Sequence, residues 1–71
     1  MSEKVAAHIT GTVVKIARKP GDAVQPGDVV IVLESMKMEM PVEATEVGTV
    51  REVRCKEGQS VSEGDVLAVI E

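Results

Sequence analysis

The chain has 71 residues, a formal net charge of −4, one cysteine and no Phe, Tyr or Trp. That length holds one small core, and the single cysteine excludes an internal disulfide. An acidic chain without aromatics also lacks the clustered cations and stacking rings of a nucleic-acid surface.

From Met1 to Thr10 there is no charged-then-apolar signal pattern. The longest branched-aliphatic run, Val29 to Leu33, is far too short to cross a bilayer. A lone cysteine fits a reducing compartment, so the expectation is a soluble cytoplasmic protein with no membrane partner. The 14 Val, 4 Ile and 2 Leu favour strands. Strands are predicted at 4–9, 12–18, 29–35, 38–44, 48–55 and 65–71, with brief extended pieces around Val24 and Val61. Lys19-Pro20-Gly21-Asp22, Gln25-Pro26-Gly27-Asp28 and Ser62-Glu63-Gly64-Asp65 read as tight turns. In such turns Pro presets φ and Gly accepts a positive φ. No segment carries a sustained helical period. The predicted class is all-β, with two sheets packed face to face because no large ring is present to fill a wider core.

The sequence repeats itself without a gap at a shift of 37 residues. Gly11-Thr12-Val13 falls on Gly48-Thr49-Val50, and Gly27-Asp28-Val29 on Gly64-Asp65-Val66. Positions 11 to 34 give 11 identities in 24, and Val5/Val42 and Ala7/Ala44 extend the match. Two copies are too few for a solenoid and suit a single domain, residues 1–71, with pseudo-two-fold symmetry. Met1 and the complete repeat favour a whole domain. The matched pairs Val13/Val50 and Ile16/Val53 lie three apart, so a bulge in each strand is needed to turn both inward.

Only Ser35-Met36-Lys37-Met38-Glu39-Met40-Pro41 lies between the matched units. Under the pseudo-two-fold this connection passes near the axis as an exposed hairpin tip, with the termini meeting at the opposite end. Two-residue hairpins select Asn-Gly or similar pairs, because both central residues need positive φ. Met-Lys works against that preference, and a rule broken at one point marks a functional or strained site. Either Met36 and Lys37 are strained or the loop is longer and relaxed. An exposed lysine is ordinarily just a solvated charge. Here its primary amine sits at the junction of the repeat, where it can form a stable amide. Met40 is assigned to the core; Met36 and Met38 lie too close to the tip for burial and suit recognition. His8 and Cys55 are read as a strand residue and a small strand hydrophobe.

Nearly the whole chain resembles the biotinyl carrier domains of biotin-dependent carboxylases. The resemblance rests on Gly27-Asp28-Val29-Val30-Ile31-Val32-Leu33, then Glu34-Ser35-Met36-Lys37-Met38, then Gly48-Thr49-Val50 and Gly64-Asp65. It implies a flattened antiparallel barrel of two four-stranded sheets, a barrel-sandwich hybrid, with biotin amide-linked to Lys37. It further implies that Glu34, Ser35, Met36, Met38 and Glu39 present that lysine to partners. Many members carry Ala where this chain has Ser35. Lys19 to Asp28 is too compact for the protruding loop of some acetyl-CoA carboxylase carriers, so the chain is most similar to the small free-standing biotin/lipoyl attachment proteins.

The resemblance implies a carrier rather than an enzyme, and the residues agree: there is no phosphate loop, metal-ligand cluster or paired acid and base. The partners implied are a biotin protein ligase, a biotin carboxylase and a carboxyltransferase, between which a monomeric carrier raises the effective concentration of the carried group. Amide formation on Lys37 takes the formal net charge from −4 to −5. Lipoyl domains share the implied fold and carry their lysine at the same tip. Met on both sides favours biotin, whereas Glu34-Ser35-x-Lys37 also resembles the glycine-cleavage carrier pattern. Lipoate, a lipoyl ligase, or acceptance of both groups is therefore the alternative. Met36, Met38 and Met40 also offer three soft thioethers, a remote alternative as a Cu(I) module that a copper titration tests.

Overall fold

The computed structural model describes residues 2–71; Met1, the first residue of the expected domain, lies outside them. The strands are β1 (Glu3–Ala6), β2 (Gly11–Ile16), β3 (Ala23–Val24), β4 (Val29–Ser35), β5 (Met38–Glu43), β6 (Gly48–Val53), β7 (Ser60–Val61) and β8 (Val66–Ile70). They form two antiparallel four-stranded sheets, ordered β1-β8-β6-β3 and β5-β4-β2-β7. A shift of 37 residues carries the first order onto the second, strand by strand. Each sheet therefore draws strands from both halves of the chain, and neither half can close its own core.

All four register irregularities obey the same symmetry. Val14 and Arg51 are the extra residues where β2 meets β4 and β6 meets β8. Val30 and Leu67 are the extra residues where β4 meets β5 and β8 meets β1. The first pair is the bulge needed to turn Val13 and Ile16, and Val50 and Val53, to one side. Val13 and Val50 are in the core, with Ile16 and Val53 packed against it. The largest fully buried side chains are Ile31, Leu33, Leu67 and Ile70, followed by Val13, Val24, Val30 and Val50. Each such side chain is worth about 1.5–3 kcal/mol of transfer free energy.

The predicted strands are present, with several shorter at the ends. The chain leaves β1 at Ala6 rather than Ile9: the Ala7 amide donates to the Asp65 carbonyl at 2.9 Å, and Ala7's carbonyl accepts from Gly64 at 2.8 Å. The predicted turns close as read. Asp22, Asp28 and Asp65 donate their amides to the carbonyls of Lys19, Gln25 and Ser62 at 3.0 Å. The same aspartates return carboxylate oxygens to the amides of Lys19, Gln25 and Ser62 at 2.8–3.0 Å. Lys56-Glu57-Gly58-Gln59 is a further turn of this kind that the residue pattern alone did not reveal, with Gln59 Oε1 in place of the carboxylate. The terminal segments meet, since Glu3 is paired with Ile70.

Candidate functional site

β4 and β5 pair from Val29↔Glu43 to Ser35↔Met38, so Met36 and Lys37 alone make the reversal. Their φ values are 53° and 66°. Positive φ at both central residues is the geometry of a two-residue hairpin turn whose twist matches its strands. For residues carrying a Cβ, this conformation costs on the order of 1–2 kcal/mol each. The strained-turn expectation therefore holds, and the relaxed-loop alternative does not. No other non-glycine among the described residues has positive φ.

Two features hold the turn in place. The β4–β5 ladder clamps it from behind, and β2 braces its base. A Cβ built on Gly11 would lie 2.5 Å from the Glu34 carbonyl oxygen and 3.5 Å from the Ser35 Cβ. Only glycine lets β2 approach the tip this closely. Residue patterning missed this role, although the repeat carried the signal: Gly48 stands in the same relation to Glu71, its Cβ site 2.7 Å from that carbonyl oxygen.

At the tip the side chains point outward. Met36 is 91% exposed and Met38 62%, and Lys37, Glu34 and Glu39 are exposed as well; Ser35 is half-buried. Glu34 and Glu39 face one another across the hairpin. Opposed like charges destabilise a strand pair, and Lys37 is the only cation from residue 20 to residue 50. Met40 is a correction: it is half-buried and outside the core. Its repeat counterpart is Glu3, so it occupies a rim position that the opposite half fills with a charge, and Val42 is the residue β5 gives to the core.

The remaining candidates lie elsewhere. His8 is exposed. Cys55 is buried, and desolvation pushes its thiol pKa up. No group of three His, Cys, Asp or Glu side chains converges among the described residues. A shallow groove of about 380 Å³ runs between edge strands β1 and β5, lined by Lys4, Val5, Val42 and Thr45 among others, and does not include the tip. Lys37 thus stands on a convex end, with its ammonium free to be approached from outside.

The family model described as "Biotin-requiring enzyme", Biotin_lipoyl, matches residues 1–70. The chain belongs to this family. Among its relatives is the biotinylated protein TB7.3 of Mycobacterium tuberculosis, 50% identical over 44 residues, which is 62% of this chain and 62% of that protein. Of solved structures, the urea carboxylase of Kluyveromyces lactis matches with a TM-score of 0.95 and 41% identity, covering 100% of this chain and 6% of that one. The lipoyl domain of the Azotobacter vinelandii 2-oxoglutarate dehydrogenase complex matches at a TM-score of 0.73 and 32% identity, over 87% of this chain and 78% of that one. The Biotin_lipoyl fold is thus the fold observed here, two four-stranded antiparallel sheets related by a pseudo-two-fold.

Proposed function

We propose that this protein is a biotin carboxyl carrier, modified by an amide between biotin and Nζ of Lys37, and not itself a catalyst. The observation that carries the reading is the hairpin tip: a lysine in a left-handed turn, exposed between two exposed methionines. The fit to a covalent group is direct. Nothing in the ladder or the core uses the Lys37 side chain, so acylation removes no packing contact. When bound, biotin supplies a ureido ring that accepts and gives up a carboxyl group. The chain's own work is to fix the backbone at Met36 and Lys37 and to hold the amine away from the sheets. Partners can then enclose the modified side chain without meeting the barrel.

Carboxylase partners follow from relatives such as the urea carboxylase. The finer assignment is a biotin protein ligase that modifies Lys37, with a biotin carboxylase and a carboxyltransferase between which the arm moves. Tethering to a small carrier replaces free diffusion by a high effective concentration at each site. Glu34, Ser35, Met36, Met38 and Glu39 form the surface those partners read. The reading takes residues 1–71 as one carrier domain, monomeric when isolated and acting in the cytoplasm.

Lipoate on Lys37 is the second reading, favoured by the 32% identity to the lipoyl domain over most of both chains. Intact-mass measurement on protein from its native cell separates the two. A biotin-sized increment lost in Lys37→Arg is the expected result. A lipoyl increment transfers the assignment to acyl or aminomethyl transport; an unmodified mass, or an increment surviving Lys37→Arg, refutes both.

A further inference from the structure

We propose that Met36 and Met38 form an oxidisable cap on the Lys37 tip, so that peroxide chemistry at these thioethers controls whether the lysine is recognised. The proposal rests on the carrier reading for its consequence, though not for its chemistry. Each step transfers one oxygen atom: the thioether lone pair attacks hydrogen peroxide, the O–O bond breaks, and the products are a methionine sulfoxide and water. Sulfur is oxidised by two electrons and peroxide is reduced by two.

Exposure ranks the targets. Met36 is 91% exposed and Met38 62%, whereas Met40 is half-buried on the same strand as Met38. Met36 lies in the left-handed turn, beyond the last ladder pair, Ser35↔Met38. The chain's one thiol does not compete. Cys55 is buried in the core cluster, and burial disfavours the thiolate, its reactive form. The usual sulfur target is therefore withheld, and among the described residues the two most accessible sulfurs flank the attachment lysine.

Oxidation turns a flexible apolar side chain into a polar, chiral one. Neither tip methionine belongs to the core, so the barrel is untouched. What changes is the apolar face presented beside Lys37. Losing about two methylenes' worth of apolar contact with a ligase corresponds to a roughly tenfold slower modification. Methionine sulfoxide reductases reverse the change, which distinguishes a switch from damage.

The test treats the intact unmodified protein with hydrogen peroxide and follows each sulfur by peptide mass mapping. Trypsin cleaves after Lys37 and a glutamate-specific protease after Glu39, so Met36, Met38 and Met40 fall on separate peptides. Met36 and Met38 are expected to gain oxygen well before Met40 and Cys55, with an unchanged unfolding midpoint. The rate of modification by a biotin ligase is expected to fall about tenfold and to recover after reductase treatment. The Met36→Leu, Met38→Leu double variant keeps apolar tips that cannot be oxidised, and should keep its rate through the same treatment. Oxidation of Met40 or Cys55 in step with Met36 overturns the proposal. So does an unaltered rate in the oxidised protein, a loss that the reductase does not restore, or an equal loss in the double variant. If the untreated protein is no ligase substrate, the carrier reading fails instead; the order of oxidation still reports on the tip.

Discussion

Replacing Gly11 by alanine tests how the tip is held. The added Cβ would sit 2.5 Å from the Glu34 carbonyl oxygen and 3.3 Å from its carbonyl carbon. The first distance is well inside van der Waals contact, and the obstructing atom is backbone. Glu34 cannot swing aside, because it is registered with Thr12 on one side and Glu39 on the other. Relief requires β2 and β4 to part, an overpacking cost of roughly 2–3 kcal/mol. For a domain of this size each kcal/mol lowers Tm by about 4–8 °C, so the fall is on the order of 8–24 °C. Gly21→Ala is the comparison. Its Cβ meets nothing within 4 Å, and only its φ of +97° resists the change, which costs about 1–2 kcal/mol. Gly48→Ala separates fold from function. Its Cβ would lie 2.6 Å from Ile70 Cγ2 and 2.7 Å from the Glu71 oxygen, at the symmetry-related place away from Lys37. Thermal and urea unfolding give the stabilities, and ligase assays below each midpoint give the modification rates. Gly11→Ala and Gly48→Ala should both be strongly destabilised, with only Gly11→Ala modified more slowly. A Gly11→Ala protein within about 0.5 kcal/mol of the parent, the range of an indifferent surface change, would refute the bracing argument.

Met36→Gly should raise stability by up to about 1 kcal/mol, since glycine accepts the left-handed turn, while slowing modification through loss of the thioether; a lower Tm would contradict the strain assigned there. Met36→Ala and Met38→Ala should leave the unfolding midpoint within about 0.5 kcal/mol and slow modification, and a large cooperative loss of stability would place these methionines in the core. Pro41→Val should promote self-association, seen by light scattering. The Ser35↔Met38 pair closes a two-residue turn, so residues 39 and 41 point their amides away from β4, and Pro41 has none to offer a second copy. Cys55 gives a pH dependence. Burial raises its folded pKa, so the folded state holds the proton more tightly. Stability from this group is complete below the unfolded thiol pKa and declines as pH rises towards the folded one. Cys55→Ala should lose that alkaline decline in a urea titration, and an unchanged decline would assign it to other groups.

Most of the architecture was legible because the repeat imposes it. Once Gly11-Thr12-Val13 and Gly48-Thr49-Val50 are matched, the bulge that turns Ile16 inward must also turn Val53, and each sheet must borrow strands from both halves. The tip was legible for a different reason: Met-Lys stands where hairpin chemistry asks for Asn-Gly, and the φ values of 53° and 66° are what that conflict requires. What was not legible depended on contacts between distant segments. Gly11 looks like any strand-initiating glycine until β4 is laid over it. Met40 fits a core pattern along its own strand, yet its depth is decided by how far the opposing sheet reaches. The turn at Lys56–Gln59 lacks both Pro and Asp, and an amide side chain takes the capping bond at 3.0 Å.

The symmetry also explains why the lysine sits where it does. The pseudo-two-fold exchanges two ends of the molecule. At one, β1 and β8 pair without a turn joining them, with Glu3 against Ile70. At the other, the equivalent strands β5 and β4 meet with Met40 against Leu33 and are joined covalently through Met36 and Lys37. Both ends have the same glycine support, Gly48 under Glu71 and Gly11 under Glu34. The repeat therefore supplies two braced platforms but only one closed turn. A left-handed Met-Lys pair costs on the order of 2–4 kcal/mol in total, and only the closed end couples that turn to a continuous seven-residue strand, β4. At the β1–β8 end the paired strands are not joined by a turn, so no hairpin there fixes the backbone of a lysine. At the β4–β5 junction Lys37 combines exposure with a left-handed backbone held by the ladder behind it.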